Sequence, residues 1–222
     1  MANTTLVLGN RNYSSWSLRA WLALRKSGAE FDEVLIPLDT PEFERTIGQY
    51  SPSRRVPVLL HGDLRIWDSL AICEYVNDCY AQGKLWPEDI TARGVGRAMA
   101  AEMHSGFTQI RNRMPMNCRA ENRHVPIDIS LQADLDRLFD LWRDALARFG
   151  NDRWLLGQFS IVDAMFAPVV LRLKTYAVDV PGDLQRYCQR VYDDPDVSHW
   201  VALAREESWV VEADEAGTVI ND

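Results

Sequence analysis

Arg54-Arg55-Val56-Pro57-Val58-Leu59-Leu60, with Arg65-Ile66-Trp67-Asp68-Ser69 close behind it, is the stretch on which the fold turns. Val56, Val58, Leu59 and Leu60 read as a buried strand, yet Pro57 sits inside it and withdraws the N–H that a central strand gives its neighbour. A cis Val56-Pro57 bond at the mouth of the strand resolves the conflict, because X-Pro bonds favour trans by only about 0.5–1 kcal/mol. That arrangement leaves a backbone group free to pair with a ligand, and the ligand it suits is peptide-like.

Working outward, His61-Gly62-Asp63 is a tight turn into a short strand at Leu64-Arg65-Ile66. Asp68 to Tyr80 then has helical spacing, with Leu70, Ile72, Cys73, Tyr75 and Val76 on its inner face. Upstream, Thr5-Leu6-Val7-Leu8 is a short apolar strand, and Leu18, Trp21, Leu22 and Leu24 mark a helix that Gly28 ends. Phe31, Val34, Ile36 and Leu38 give a second strand, and Pro41 to Tyr50 a short helix. The first 80 or so residues therefore read β-α-β-α-β-β-α. Beyond Gly83-Lys84-Leu85-Trp86-Pro87 the alternation stops and only helix-period segments follow. Helices are expected from Asp89 to near Arg113, Asp128 to Phe149, Ile161 to Tyr176, near Asp183 to Tyr192, and from Pro195 to Glu206. The tail from Ser208 to Asp222 is acidic and weakly patterned. The expected division is 1–84, a linker and helix start over 85–95, and an all-helical part over 96–222.

The chain has 222 residues, 47% of them apolar and 25% charged, within the ordinary range of a soluble globular protein with a sizeable core. No apolar run approaches the roughly 18–20 residues of a membrane span, and Met1-Ala2-Asn3-Thr4 carries no basic leader, so a cytoplasmic protein away from membranes is expected. A net charge of −8 argues against bulk attraction to nucleic acid. Cys73, Cys79, Cys118 and Cys188 form no C-x-x-C pair and read as reduced packing residues. His61, His104, His124 and His199 have no metal-ligand spacing among themselves or with the cysteines, and neither G-x-G-x-x-G nor a Walker pattern occurs. No metal site is expected.

Two clusters carry candidate chemistry. Tyr13-Ser14-Ser15-Trp16-Ser17 lies where the first strand turns into the first helix, so hydroxyls and free backbone N–H groups share a helix N-terminus that favours an anion. One serine there can be a plain N-cap, but three serines in four residues exceed what capping needs. Asp68-Ser69 opens another helix with the same two possibilities.

Together, the Val-Pro strand, the acidic-Ser helix start and the all-helical second part resemble the glutathione S-transferase family over nearly the whole chain. The resemblance implies a thioredoxin-like α/β N-terminal domain with a mixed sheet and an all-α helical-bundle C-terminal domain. Ser160-Ile161-Val162-Asp163 looks like that family's capping box, a structural element contributing roughly 1 kcal/mol rather than a site. Ser14-Ser15-Trp16-Ser17-Leu18-Arg19 is most similar to the Ser-Ser-Cys-Ser-x-Arg start of the zeta class, which includes maleylacetoacetate isomerases. Trp16 stands where that pattern has cysteine, which favours a serine-type transferase over an isomerase.

The resemblance implies glutathione as cosubstrate. A free thiol titrates near 8.5, and lowering it by about two units needs about 2.7 kcal/mol. A serine hydroxyl donating to a charged acceptor contributes about 1.5–3 kcal/mol and a helix N-terminus about 0.3–1, so the two suffice without a base. Ser14 is the first candidate for that hydroxyl, Ser15 the second and Tyr13 the third. By the same resemblance, Trp16 borders the glutathione site and Val56 pairs with the cysteinyl amide ahead of Pro57. Asp68 and Ser69 hold the γ-glutamyl end, while Arg54 or Arg55 meets the glycyl carboxylate. Tyr13, His104, Phe107, Thr108, Arg111 and Asn112 are candidates for the electrophile pocket. The run Arg111, Arg113, Arg119, Arg123 is either a solvated kink or a recruiter of an acidic substrate. The alternatives to a transferase are a maleylacetoacetate-type isomerase and a non-catalytic binding module of the same fold. Family members usually pair as two-fold dimers, so a homodimer is expected.

Overall fold

The computed structural model describes residues 3–150 and 154–219; Met1, Ala2 and the last three residues of the acidic tail fall outside that range. Strand β1 (Thr4–Leu8) is the sheet's organiser, with Leu6, Val7 and Leu8 fully buried. It is followed by α1 (Ser15–Ser27), β2 (Asp32–Leu35), α2 (Pro41–Tyr50), β3 (Val58–His61), β4 (Leu64–Trp67) and α3 (Ser69–Cys79). The sheet order is β2-β1-β3-β4, with β1 parallel to β2 and antiparallel to β3, and β3 antiparallel to β4. This is the mixed sheet expected from the alternating pattern. Gly28 ends α1 at φ 75°, a left-handed turn that glycine adopts without strain, and its N–H bonds to the Arg25 carbonyl.

The second half is helical: α4 (Ile90–Ser105), α5 (Thr108–Arg113), α6 (Ile129–Ala145), α7 (Ile161–Thr175), α8 (Gly182–Tyr192) and α9 (Pro195–Glu206). Helix α7 is its axis. Twelve of the fifteen residues from Ile161 to Thr175 are uncharged, the exceptions being Asp163, Arg172 and Lys174, and the helix is buried almost all round, against α1 and α4. At its start Asp163 accepts from the Ser160 N–H (2.9 Å) and the Ser160 hydroxyl (3.1 Å), and reaches the Leu155 N–H (3.3 Å).

Two expectations are corrected. The single helix from Asp89 to near Arg113 is broken at Gly106 and Phe107. Phe107 takes φ 52° and turns its ring edge-on to Phe166 in the core, 6.4 Å between centroids. The restart needs a cap that the local sequence does not supply, and Asp134 of α6 supplies it by accepting from Gln109 N (2.8 Å) and Ile110 N (3.3 Å). The tail is also more ordered than its pattern implied. Residues Thr218–Val219 form β6, which pairs antiparallel with β5 (Arg123–His124).

Candidate active site

Strand register brings the three motifs to one end of the sheet. Val7 lies opposite Val58, so the exit of β1 into α1 adjoins the entry of β3; Val58 in turn lies opposite Trp67, so the exit of β4 into α3 is beside both. Ser14-Ser15-Trp16, Val56-Pro57 and Asp68-Ser69 are the residues at those three junctions. The Val56–Pro57 peptide bond is cis, and the Val56 backbone makes no hydrogen bond among the described residues.

The two serines differ in what their hydroxyls already do. Ser14 is the N-cap of α1: its oxygen accepts from Ser17 N (3.4 Å) and its hydrogen goes to Ser17 Oγ (2.7 Å). Ser15 is the first residue inside the helix, and its oxygen accepts from the Arg172 guanidinium (3.0 Å). Its hydrogen is assigned to no acceptor among the described residues. Tyr13, expected to line a pocket or serve as third choice for the thiolate, is buried and fully engaged. Its hydroxyl donates to Glu215 (2.7 Å) and accepts from Arg119 (2.7 Å), and burial together with Glu215 raises its pKa.

At the second junction Asp68 takes φ 77° and caps α3, one carboxylate oxygen accepting from Leu70 N (2.9 Å) and Ala71 N (3.1 Å). The other oxygen meets His104 Nε2 at 3.0 Å, tying the β/α part to α4. Ser69 is enclosed, and its hydroxyl has no hydrogen-bond partner among the described residues. A buried hydroxyl left without a partner is unfavourable, and a ligand carboxylate would relieve it.

Trp16 is half-buried between cations. The Arg19 guanidinium lies 4.2 Å from its ring centroid and that of Arg111 4.7 Å, with His104 edge-on at 5.3 Å. Arg111 also donates to the His104 and Gly106 carbonyls, and burial lowers its pKa. The remaining candidates are dispersed. Thr108 and Asn112 lie exposed, one turn apart on α5, while Phe107 is core. Arg54 is turned away to Glu44, at 3.1 Å, whereas the Arg55 guanidinium makes no ion pair or hydrogen bond among the described residues. Of the basic run, Arg113 pairs with Asp128, Arg123 with Glu215, and Arg119 holds Tyr13 and the Glu207 and Trp209 carbonyls. Those three are structural ties; among the described residues neither Arg111 nor Arg119 has a carboxylate partner, but Arg119 is already committed to Tyr13 and the two carbonyls.

Sequence reasoning missed Arg172 and gave Arg19 no role. A visible signal existed for the first: Arg172 interrupts the apolar run Val169-Val170-Leu171-Arg172-Leu173 of a helix with no polar face. Cys73, Cys118 and Cys188 are buried, which pushes each thiol up to about 12, and none stands at the start of α1. Among the described residues no group of three His, Cys, Asp or Glu side chains gathers to hold a metal, and no helix is long and apolar enough to cross a membrane.

Known proteins similar to this chain in sequence and in fold point to one family. The family model for the glutathione S-transferase N-terminal domain matches residues 13–79 and that for the C-terminal domain residues 95–198. Glutathione S-transferase L1 of Arabidopsis thaliana is 23% identical over 163 residues, 73% of this chain and 64% of that protein. Maleylacetoacetate isomerase of Rattus norvegicus is 24% identical over 173 residues, covering 77% of this chain and 78% of the relative. The chain spans only about half the length of several other curated relatives, such as 51% of the chloroplastic L2 transferase of Arabidopsis thaliana. A Burkholderia glutathione transferase homolog solved with bound glutathione superposes with a TM-score of 0.69 at 24% identity, over 92% of this chain and 98% of that one. With both of its halves matched by models of one family, on the fold that family shares, the chain belongs to the glutathione S-transferases.

Proposed function

We propose that the protein is a glutathione transferase in which the Ser15 hydroxyl stabilises the glutathione thiolate for attack on a small electrophile. The observation that carries this is the division of labour at the start of α1: the Ser14 hydrogen is held by Ser17, whereas Ser15 has its oxygen fixed by Arg172 and its hydrogen available. The role first considered for Ser14 thus passes to Ser15, with Ser14 as the cap. Val56 supplies the backbone pairing for the cysteinyl amide, Ser69 receives the γ-glutamyl carboxylate, and Asp68, shared with His104, faces the α-amino group. Arg55 rather than Arg54 meets the glycyl carboxylate, since Arg54 already has Glu44. Residues 1–84 are taken as the glutathione-binding part and 96–222 as the substrate part, joined by 85–95.

A maleylacetoacetate-type isomerase is the second reading, supported by the rat relative and by Arg111, a member of the basic run with no carboxylate partner among the described residues, beside Trp16. It uses the same thiolate for reversible addition to an acidic substrate. Turnover of maleylacetone well above that of aromatic halides would favour it. The test common to both readings is binding: millimolar glutathione should raise the unfolding temperature, and an unchanged temperature with no retention on immobilised glutathione would reject both. A cytoplasmic homodimer completes the proposal. The exposed Leu64 and Trp67 on edge strand β4 and Ile90 at the start of α4 are apolar residues that a second copy would cover.

A further inference from the structure

Arg19 and Arg172 carry guanidinium groups deep in the protein with no carboxylate against them among the described residues. Arg19 is fully buried; its Nε donates to the Met165 carbonyl at 3.0 Å, and both terminal nitrogens lack hydrogen-bond partners among the described residues. Arg172 is 4% exposed; one terminal nitrogen donates to Ser15 Oγ, and Nε and the other terminal nitrogen lack hydrogen-bond partners among the described residues. Asp68 acts on Arg19 and Asp214 on Arg172 at a distance, without an ion pair, as do Cys73 and, for Arg172, Tyr176 and Cys118. Burial lowers the pKa of Arg19, Arg172 and Arg111; the charges of Arg172 and Arg111 add to it at Arg19, and that of Arg111 at Arg172, whose pKa falls to about 10, which still leaves it protonated at neutral pH. An unpaired buried charge is destabilising, whereas an apolar side chain in α7 would match its surroundings. Such a cluster stores positive potential for an anion that the free protein does not contain. Among the described residues it reaches the junction of the three motifs by the Arg172–Ser15 hydrogen bond and, through Arg19 and Arg111, the face of Trp16.

We propose that Arg172 is a positioning residue for thiol activation, fixing Ser15 Oγ as an acceptor so that its O–H points to the glutathione sulfur. Its charge, backed by Arg19, offsets the charge of the thiolate. This rests on the proposed serine mechanism and deepens it. The chemistry is a single ionisation: the S–H bond breaks, its electron pair stays on sulfur, and the proton leaves to solvent. Ser15 keeps its own hydrogen and Arg172 remains a cation throughout. Because the guanidinium is a planar fork, one N–H can hold Ser15 while the rest of the charge stays behind it; a lysine offers charge without that fixed direction.

The test is a pH titration of the thiolate absorbance of glutathione bound to the full chain, in the unmodified protein and in Ser15→Ala, Arg172→Met, Arg172→Gln and Arg172→Lys, with the pH profile of kcat/KM alongside. Loss of charge in the Met and Gln variants should raise the bound thiol's midpoint by about one unit, an approximately tenfold loss of kcat/KM below the midpoint that closes at high pH, with the Lys variant in between. The Arg172→Met change should add little once Ser15 is alanine. Absence of a thiolate band in the unmodified protein would remove the serine mechanism itself. A band that needs Ser15 but keeps its midpoint in folded Met and Gln variants would overturn the Arg172 proposal alone. Failure of both Met and Lys variants to fold would make Arg172 a structural residue and overturn it equally.

Discussion

A serine at a helix start can be a cap or a reagent, and what separates the two is where its hydrogen goes. Ser14 gives its hydrogen to Ser17 and accepts from the α1 backbone. Ser14→Ala should therefore cost about 0.5–2 kcal/mol of stability, measured by denaturant unfolding, and leave a larger share of turnover than Ser15→Ala does. Ser15→Ala removes a hydroxyl facing an anion and should lower kcat/KM at neutral pH roughly ten- to a hundredfold. Asp163 makes a different residue-level prediction. Burial pushes its carboxyl up to about 7, against the 3.8 of an unperturbed group, while hydrogen bonds from Ser160 and Leu155 act in the opposite direction. Between those two values the folded state holds a proton that the unfolded state releases, so this group's contribution falls as pH rises through that window. Relative to Asp163→Asn, the unmodified protein should lose stability from about pH 4 to pH 7, as thermal unfolding across that range would record.

At the scale of elements, α5 exists because a neighbour caps it. Its first free N–H groups are those of Gln109 and Ile110, and Asp134 of α6 takes both. Asp134→Ala should destabilise the chain by about 1 kcal/mol, with amide exchange accelerated first at residues 108–113. The tail is a second device of this kind. Glu215 receives Tyr13 Oη (2.7 Å), Asn117 Nδ2 (2.8 Å) and Arg123 (2.7 Å), and β6, which starts at Thr218, is held beside β5. Glu215→Ala should lower the unfolding temperature by a few degrees and free the tail to exchange. Neither tie was legible in the sequence, because each joins residues whose spacing carries no period: Asp134 to Gln109, and Glu215 to Tyr13 across nearly the whole chain. The β-α-β-α-β-β-α order and α7 were legible, since local propensity and burial there point the same way. The apparent continuity from Asp89 to Arg113 misled because Gly106 and Phe107 are compatible with a helix locally, and the core's claim on Phe107 decides the break.

For the whole molecule, the sheet and the helical bundle meet at a polar seam rather than a purely apolar one. His104 of α4 reaches Asp68, Arg172 of α7 reaches Ser15, and Arg111 of α5 reaches Trp16. Each helical residue touches one of the motifs gathered at the sheet's end, so the second half of the chain sets the chemistry of a site built by the first. The motifs themselves could be read from residue order, because Pro57, Asp68-Ser69 and the serine cluster break local rules of strand and helix. Arg172 also breaks a local rule, as a charge inside an apolar helix, but what it serves could not be read there because its partner is 157 residues away. The proposed activity turns on a glutathione thiol ionised at the start of α1, and the most direct measurement is the ultraviolet titration of that thiol in the complex. A midpoint well below the roughly 8.5 of a free thiol, retained in Ser14→Ala and abolished in Ser15→Ala, is the predicted result; a midpoint unchanged from free glutathione, or one that survives Ser15→Ala, would contradict it.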